Sequence, residues 1–188
     1  MTERVQIWAS GGGVQSAAIA ALIVQGELKP DMAVIVDTER EQSTTWAYMD
    51  DVISPALAGV GVTLHRVNKS RYATVDVYGG ADGEDLLLPA FTRQSGPVGK
   101  MSSFCSNEWK RRVVQRWATD QGVKLASMWL GISLDERQRM SMVAGKWENR
   151  YPLIERRMNR GDCMALVESM GWPSPPRSSC WMCPNHAD

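Results

Sequence analysis

Three consecutive glycines, Gly11 to Gly13, follow an alternating apolar run (Val5, Ile7, Ala9) and precede an almost wholly apolar stretch from Val14 to Val24. No other stretch restricts the fold of this chain so strongly. The alternation reads as a short buried strand, the long apolar run as a helix, and the glycines as the tight turn between them. Glycine lets the backbone approach a ligand closely, and the first amides of a helix carry its positive dipole end, so a phosphate is the expected guest. The candidate binding residues are Ser10, Gly11, Gly12, Gly13, Val14, Gln15 and Ser16, with the Ser16 hydroxyl set among the helix amides.

The spacing narrows the kind of phosphate loop. A Walker A loop needs Lys-Ser or Lys-Thr after its last glycine, and the first lysine of this chain is Lys29. Gly11-x-Gly13-x-x-Ser16 half fits a dinucleotide fingerprint, with Asp37 where a ribose-binding acid would lie, but the third glycine is replaced by Ser16. Gly11 to Ser16 resembles more closely the Ser-Gly-Gly-x-Asp-Ser loop of ATP pyrophosphatases, with Gly11 for the first serine and Gln15 for the aspartate.

The chain has 188 residues, 44% of them hydrophobic, and 21 basic residues balance 21 acidic ones. That is enough for one domain with its own core, over 1–188, and nothing in the charge demands a nucleic acid. Of the basic groups, only Arg137 with Arg139 is read as an anion clamp; Lys110 to Arg112, Arg156-Arg157 and Arg160 read as solvated helix faces. The longest apolar stretch, Ala17 to Val24, is too short for a membrane span, so no membrane association is expected and the compartment is expected to be cytoplasmic.

Met32 to Val36 is a continuous apolar run of the kind a parallel strand buried on both faces shows, and it ends at Asp37-Thr38. Ligands of open α/β sheets sit beyond the carboxyl ends of strands, so Val36, Asp37 and Thr38 should lie beside the glycine turn. Ser43-Thr44-Thr45 should open a helix that Pro55 interrupts or ends, and Val62 to Val67 a third strand, on which His65 reads as structural. Residues 68–101, rich in Gly and Pro, read as an irregular lid or insertion. A helix should begin near Ser106 with Cys105 just before it, which would depress that thiol's pKa. Lys124 to Leu130 gives a further strand, with Gly131 directly after it. Tyr151 to Glu155 reads as a short extended piece, and Asp162 as the cap of a helix running from Cys163 to Met170.

Cys180 and Cys183 are spaced C-x-x-C and followed by Pro184, the local form of zinc knuckles and of iron–sulfur ligand runs. Cys105 and Cys163 are expected at helix starts that could complete a four-thiolate site within a metal-binding tail over 150–188. Iron–sulfur ligation is preferred. Zinc through Cys105, Cys180, Cys183 and either Cys163 or His186 stays open, as do unligated buried cysteines.

Taken together, these residues resemble the phosphoadenosine phosphosulfate (PAPS) reductase family of the PP-loop adenine-nucleotide superfamily. The resemblance is carried by the glycine turn, Val36 to Glu39 followed by Thr45-Trp46, Gly131-Ile132 followed by Arg137, Tyr151 to Ile154, and Ser179-Cys180-x-x-Cys183, in the family's order. It implies a Rossmann-like α/β fold: an open, mostly parallel sheet with helices on both faces, plus an irregular cysteine-bearing C-terminal segment. It further implies ATP or a related adenine nucleotide on Gly11 to Ser16, with magnesium as an optional companion, adenosine contacts near Val36 to Thr38, and anion contacts from Arg137. Ser16 and Arg137 are the implied catalytic residues, and Cys105, Cys163, Cys180 and Cys183 the implied ligands of a [4Fe-4S] cluster. The activity implied is sulfur transfer to an adenylated acceptor or reduction of a sulfonucleotide, set against a non-catalytic nucleotide-binding module with structural zinc. The acceptor, whether nucleotide, nucleic acid or metabolite, and any homo-oligomer are left open. Two departures stand out: Gln15 replaces the loop's acid, and no cysteine follows Cys183.

Overall fold

The computed structural model describes residues 3–79, 85–92, 99–100 and 104–183. Its centre is a five-stranded sheet, parallel throughout, made of β1 (Val5–Ser10), β2 (Met32–Asp37), β3 (Leu64–Asn68), β8 (Ala126–Leu130) and β9 (Trp147–Arg150) in the order β3-β2-β1-β8-β9. The expected open α/β sheet is thus present. Between β3 and β8 lie two short antiparallel ladders, β4 (Tyr78–Gly79) with β5 (Asp85–Leu86) and β6 (Phe91–Thr92) with β7 (Gly99–Lys100).

Side-chain alternation sorts the core into two layers. Trp8, Ala33, Ile35 and Trp129 face one side of the sheet, where they meet α1 (Val14–Val24), α3 (Ser54–Ala58), α5 (Pro152–Glu155) and α6 (Arg160–Ser169). Ile7, Val34, Val36, Ala126 and Met128 face the other, against α4 (Arg112–Asp120). Helix α1 is apolar on every side because α6 covers the face turned away from the sheet.

The chain runs outward from β1 through β2 to β3, then crosses to the far side of β1 to form β8. The crevice between the carboxyl ends of β1 and β8 is therefore a topological switch point, where open α/β sheets bind ligands.

Several elements depart from expectation. The fifth strand, β9, is polar (Trp-Glu-Asn-Arg) and lies at the sheet edge, so it carries no apolar alternation to announce it. Helix α2 (Ser43–Tyr48) runs through a π-helical turn, Met49–Ile53, directly into α3, so Pro55 does not end the helical run. Pro55 is accommodated inside this continuous run, as the second residue of α3 directly after the π-helical turn. Pro152–Glu155 is helical rather than extended, with Pro152 in its first turn. Helix α6 starts at Arg160, three residues before Cys163, because Asn159 is the cap: Asp162 N–H donates to Asn159 Oδ1 at 3.0 Å and Asn159 N–H to Asp162 Oδ2 at 2.8 Å.

Candidate nucleotide cavity and thiol site

The glycine turn closes on itself. Gly11 N–H donates to Ser16 Oγ at 2.7 Å and Gly12 N–H to Ser10 Oγ at 3.3 Å. Gly12 takes φ +79°, and a Cβ there would lie 2.7 Å from Thr45 Cγ2, so this position requires glycine. No side chain caps the first amides of α1, and they face a cavity of about 870 Å³. That volume is in the range of small-ligand sites. Ser16 Oγ accepts from Gly11 and keeps its own proton to offer a ligand. The opposite wall comes from the end of β8 and the residues after it, Leu130, Gly131 and Ile132, where a Cβ added at Gly131 would lie 3.4 Å from Gln15 Cβ and 3.5 Å from Ser16 N.

Of the expected nucleotide residues, Ser10, Gly11, Gly13, Val14, Gln15, Ser16, Val36 and Gly131 line the cavity. Gly12 supports the turn from behind. Asp37 is turned to Arg66 in an ion pair of 2.7 Å, and Thr38 is fully buried with its hydroxyl 3.5 Å from Cys180 Sγ. Arg137 is exposed and is not among the lining residues; Arg139 is. The segment after β8 folds as a 3-10 helix, Leu134–Arg139, in which residues three apart share a side. Glu136 and Arg139 therefore reach the cavity together, paired at 2.8 Å, and Arg137 points elsewhere. Gln15 Nε2 donates to Glu136 Oε2 at 3.2 Å, which ties α1 to this turn.

Lys110, Arg111, Arg160 and Arg177 also line the cavity. The first three had read as solvated helix faces. Lys110 and Arg111 stand in the last turn of the π-helical segment Asn107–Arg111 that leads into α4, and Arg160 is the first residue of α6. A neutral chain thus concentrates cations at one crevice.

The cysteines divide. Cys105, Cys180 and Cys183 lie close enough for the charges of the last two to act on the first. Cys183 N–H closes a turn onto Cys180 O at 2.9 Å, the backbone form of a C-x-x-C ligand turn, and Cys180 forms an antiparallel bridge with Glu41. Cys163 does not join them. Because α6 starts early, it falls a turn inside that helix, fully buried in the layer that holds Leu153 and Val167, across the sheet from α4. Burial pushes its thiol up to about 12, with Asp135 and Asp162 adding to the effect.

Cys105 starts the helical run that leads through a π-helical turn, Asn107–Arg111, into α4. Its pKa is raised, contrary to the depressed value expected: burial dominates, Cys180 and Cys183 add to it, and the Ser106 amide and Lys110 only partly oppose it. Among the described residues, no group of three His, Cys, Asp or Glu side chains stands at metal-ligand spacing. The donor chemistry of three neighbouring thiols nevertheless fits a soft metal or an iron–sulfur cluster. His186 lies outside the described residues.

A single C-terminal strap joins the two places. Pro176, Arg177 and Ser178 line the cavity, the Ser178 hydroxyl donates to Gly11 O, and two residues later Cys180 meets Thr38 and Glu41.

No family model matches this chain, and no curated protein matches it. Solved structures do. Phosphoadenylyl-sulfate reductase from Candida auris, in a phosphate complex, superposes with a TM-score of 0.60 at 14% identity, over 96% of this chain and 83% of that one. This chain has the fold of PAPS reductase. The U34-tRNA thiolase NcsA from Methanococcus maripaludis, with its [4Fe-4S] cluster, superposes with a TM-score of 0.57 at 11% identity; all of this chain is covered, but only 61% of the thiolase. Among the described residues no helix is long and apolar enough to cross a membrane.

Proposed function

We infer that the protein is an enzyme that binds ATP or a related adenine nucleotide in the crevice at the glycine turn, holds a metal centre on Cys105, Cys180 and Cys183, and transfers sulfur to an adenylated acceptor. The observation that carries this reading is the strap: the same few residues close the wall of the nucleotide cavity and deliver two thiols beside it. The PAPS reductase and thiolase folds support it, the latter through the [4Fe-4S] cluster that the thiolase carries.

In this reading the amides of Gly13 to Ser16 and the Ser16 hydroxyl hold phosphate oxygens. Val36 contacts the nucleoside. Lys110, Arg111 and Arg139 offset charge that develops at phosphorus as an acceptor oxygen attacks and pyrophosphate leaves. The Gln15 and Glu136 contact holds Arg139 in place. Sulfur then displaces the adenylated oxygen and AMP departs. A thiolate-held cluster, when bound, would supply the place where a sulfur species is kept.

Reduction of a sulfonucleotide fits less well, since it needs a thiol free to attack sulfur. With three cysteines on metal and Cys163 in the core, none of the four is left. A structural zinc module is the second reading, favoured by the C-x-x-C turn alone. Protein prepared without oxygen distinguishes them through metal and sulfide analysis and the visible spectrum. Iron with sulfide, a broad visible absorption and pyrophosphate release from ATP support the enzyme. Zinc alone after anaerobic reconstitution with iron and sulfide, with no pyrophosphate release, supports the module.

A further inference from the structure

Glu41 is a buried carboxylate in the place where the thiols gather. Its side chain is 3% exposed, and Oε1 takes an ion pair from Lys110 Nζ at 2.6 Å. Oε2 is buried and has no hydrogen-bond partner among the described residues. Buried carboxylate oxygens are as a rule paired or bound to metal, because leaving one bare costs the desolvation of a charged group.

Two features place the Glu41 side chain beside the thiols. Glu41 and Cys180 are direct partners in an antiparallel bridge, its register fixed by Trp181 N–H donating to Arg40 O at 2.8 Å. Side chains so opposed leave the backbone on the same face, with Cβ atoms roughly 4.5–5.5 Å apart. Lys110 holds Glu41 Oε1, and it lies within charge range of Cys105, as Cys180 and Cys183 do.

We propose that Glu41 is the fourth protein ligand of the metal site formed by Cys105, Cys180 and Cys183, with Oε2 as the donor atom, in the position expected of Cys163. The inference rests on the thiol site proposed above. Three thiolates and one carboxylate suit one zinc, or the four irons of a [4Fe-4S] cluster at one ligand each, and disfavour magnesium and calcium, which take oxygen ligands. Lys110 offsets part of the negative charge and fixes the carboxylate's orientation, as outer partners of metal ligands do. Among the described residues these side chains do not stand at ligand distance, so metal binding would have to draw them together.

Titration of metal-free protein with Co²⁺ under argon, followed by absorption, tests this directly. The wild type should bind one Co²⁺ with intense tetrahedral ligand-field bands and thiolate charge transfer. Glu41→Gln should lower Co²⁺ affinity by at least about tenfold and shift the ligand-field bands. Glu41→Cys should bind tightly with stronger charge transfer, while Cys163→Ala should match the wild type. Lys110→Met should keep the wild-type spectrum. Circular dichroism of each variant controls for folding, and Glu41→Cys keeps the test informative if Glu41→Gln folds poorly. Unchanged affinity and spectrum in Glu41→Gln would overturn the carboxylate ligand and leave the thiol site standing. Equal losses in Glu41→Gln and Lys110→Met, with wild-type bands in the Co²⁺ still bound, would make Glu41 only the partner of Lys110. Absence of thiolate charge transfer in the wild type would remove both proposals.

Discussion

Gly12→Ala should be among the most damaging single-methyl changes this chain can suffer. Gly12 sits at φ +79°, and an added Cβ would lie 2.7 Å from Thr45 Cγ2, 3.3 Å from Ser178 Oγ and 3.6 Å from Ile35 Cδ1. The left-handed backbone costs an alanine roughly 1–2 kcal/mol. The overlap adds the cost of overpacking, roughly 1–3 kcal/mol, because Thr45 is fully buried and has no room to retreat. Together these give about 2–5 kcal/mol, a large part of a domain stability of ~5–15 kcal/mol. Thr45→Ser removes the colliding methyl and by itself costs about 1 kcal/mol for one buried carbon. The double variant should therefore be less destabilised than the sum of the singles by roughly 1–3 kcal/mol, with the backbone term remaining. Urea unfolding followed by tryptophan fluorescence measures all four proteins. Strict additivity, or a Gly12→Ala protein within about 0.5 kcal/mol of wild type, would refute the packing described for the turn.

Arg139→Ala should weaken ATP binding about 5- to 50-fold, the loss of one charge-assisted contact of roughly 1–2.5 kcal/mol, whereas Arg137→Ala should change it less than twofold in the same calorimetric titration. Ser178→Ala loses the bond to Gly11 O, which should lower stability by about 1 kcal/mol and speed proteolysis within 173–183, read by mass spectrometry. Alkaline pH should destabilise the fold. The Cys163 thiol is pushed up to about 12 and the Tyr48 hydroxyl also to about 12, both by burial. Above pH ~9 the unfolded chain releases the Cys163 proton while the native state keeps it, so stability is intact below that pH and falls as pH rises toward the native pKa. Cys163→Ala should flatten the first part of that decline in urea midpoints measured from pH 8 to 10.5.

The glycine turn, β1, α1 and β2 were legible because their pattern is set by local rules: alternation, glycine where φ is positive, and apolar runs buried on both faces. Strand β9 was not, since an edge strand needs only backbone partners and its side chains stay polar. The start of α6 turned on one cap. Reading Asp162 in place of Asn159 shifts the helix by three residues and moves Cys163 from a helix entrance to the core. Arg137 and Arg139 are two residues apart, and only the 3-10 geometry after β8 decides which reaches the cavity. Glu41 carries no sequence signal at all. The role proposed for it rests on a bridge to a residue 139 positions away and on the ion pair with Lys110.

The central claim is that the crevice at the glycine turn takes an adenine nucleotide. Calorimetric titration of ATP into protein prepared without oxygen, beside Ser16→Ala of unchanged metal content, tests it most directly. One ATP per chain, bound in the micromolar to millimolar range and clearly weakened by Ser16→Ala, is the predicted result. No saturable binding, or binding indifferent to Ser16, would contradict it.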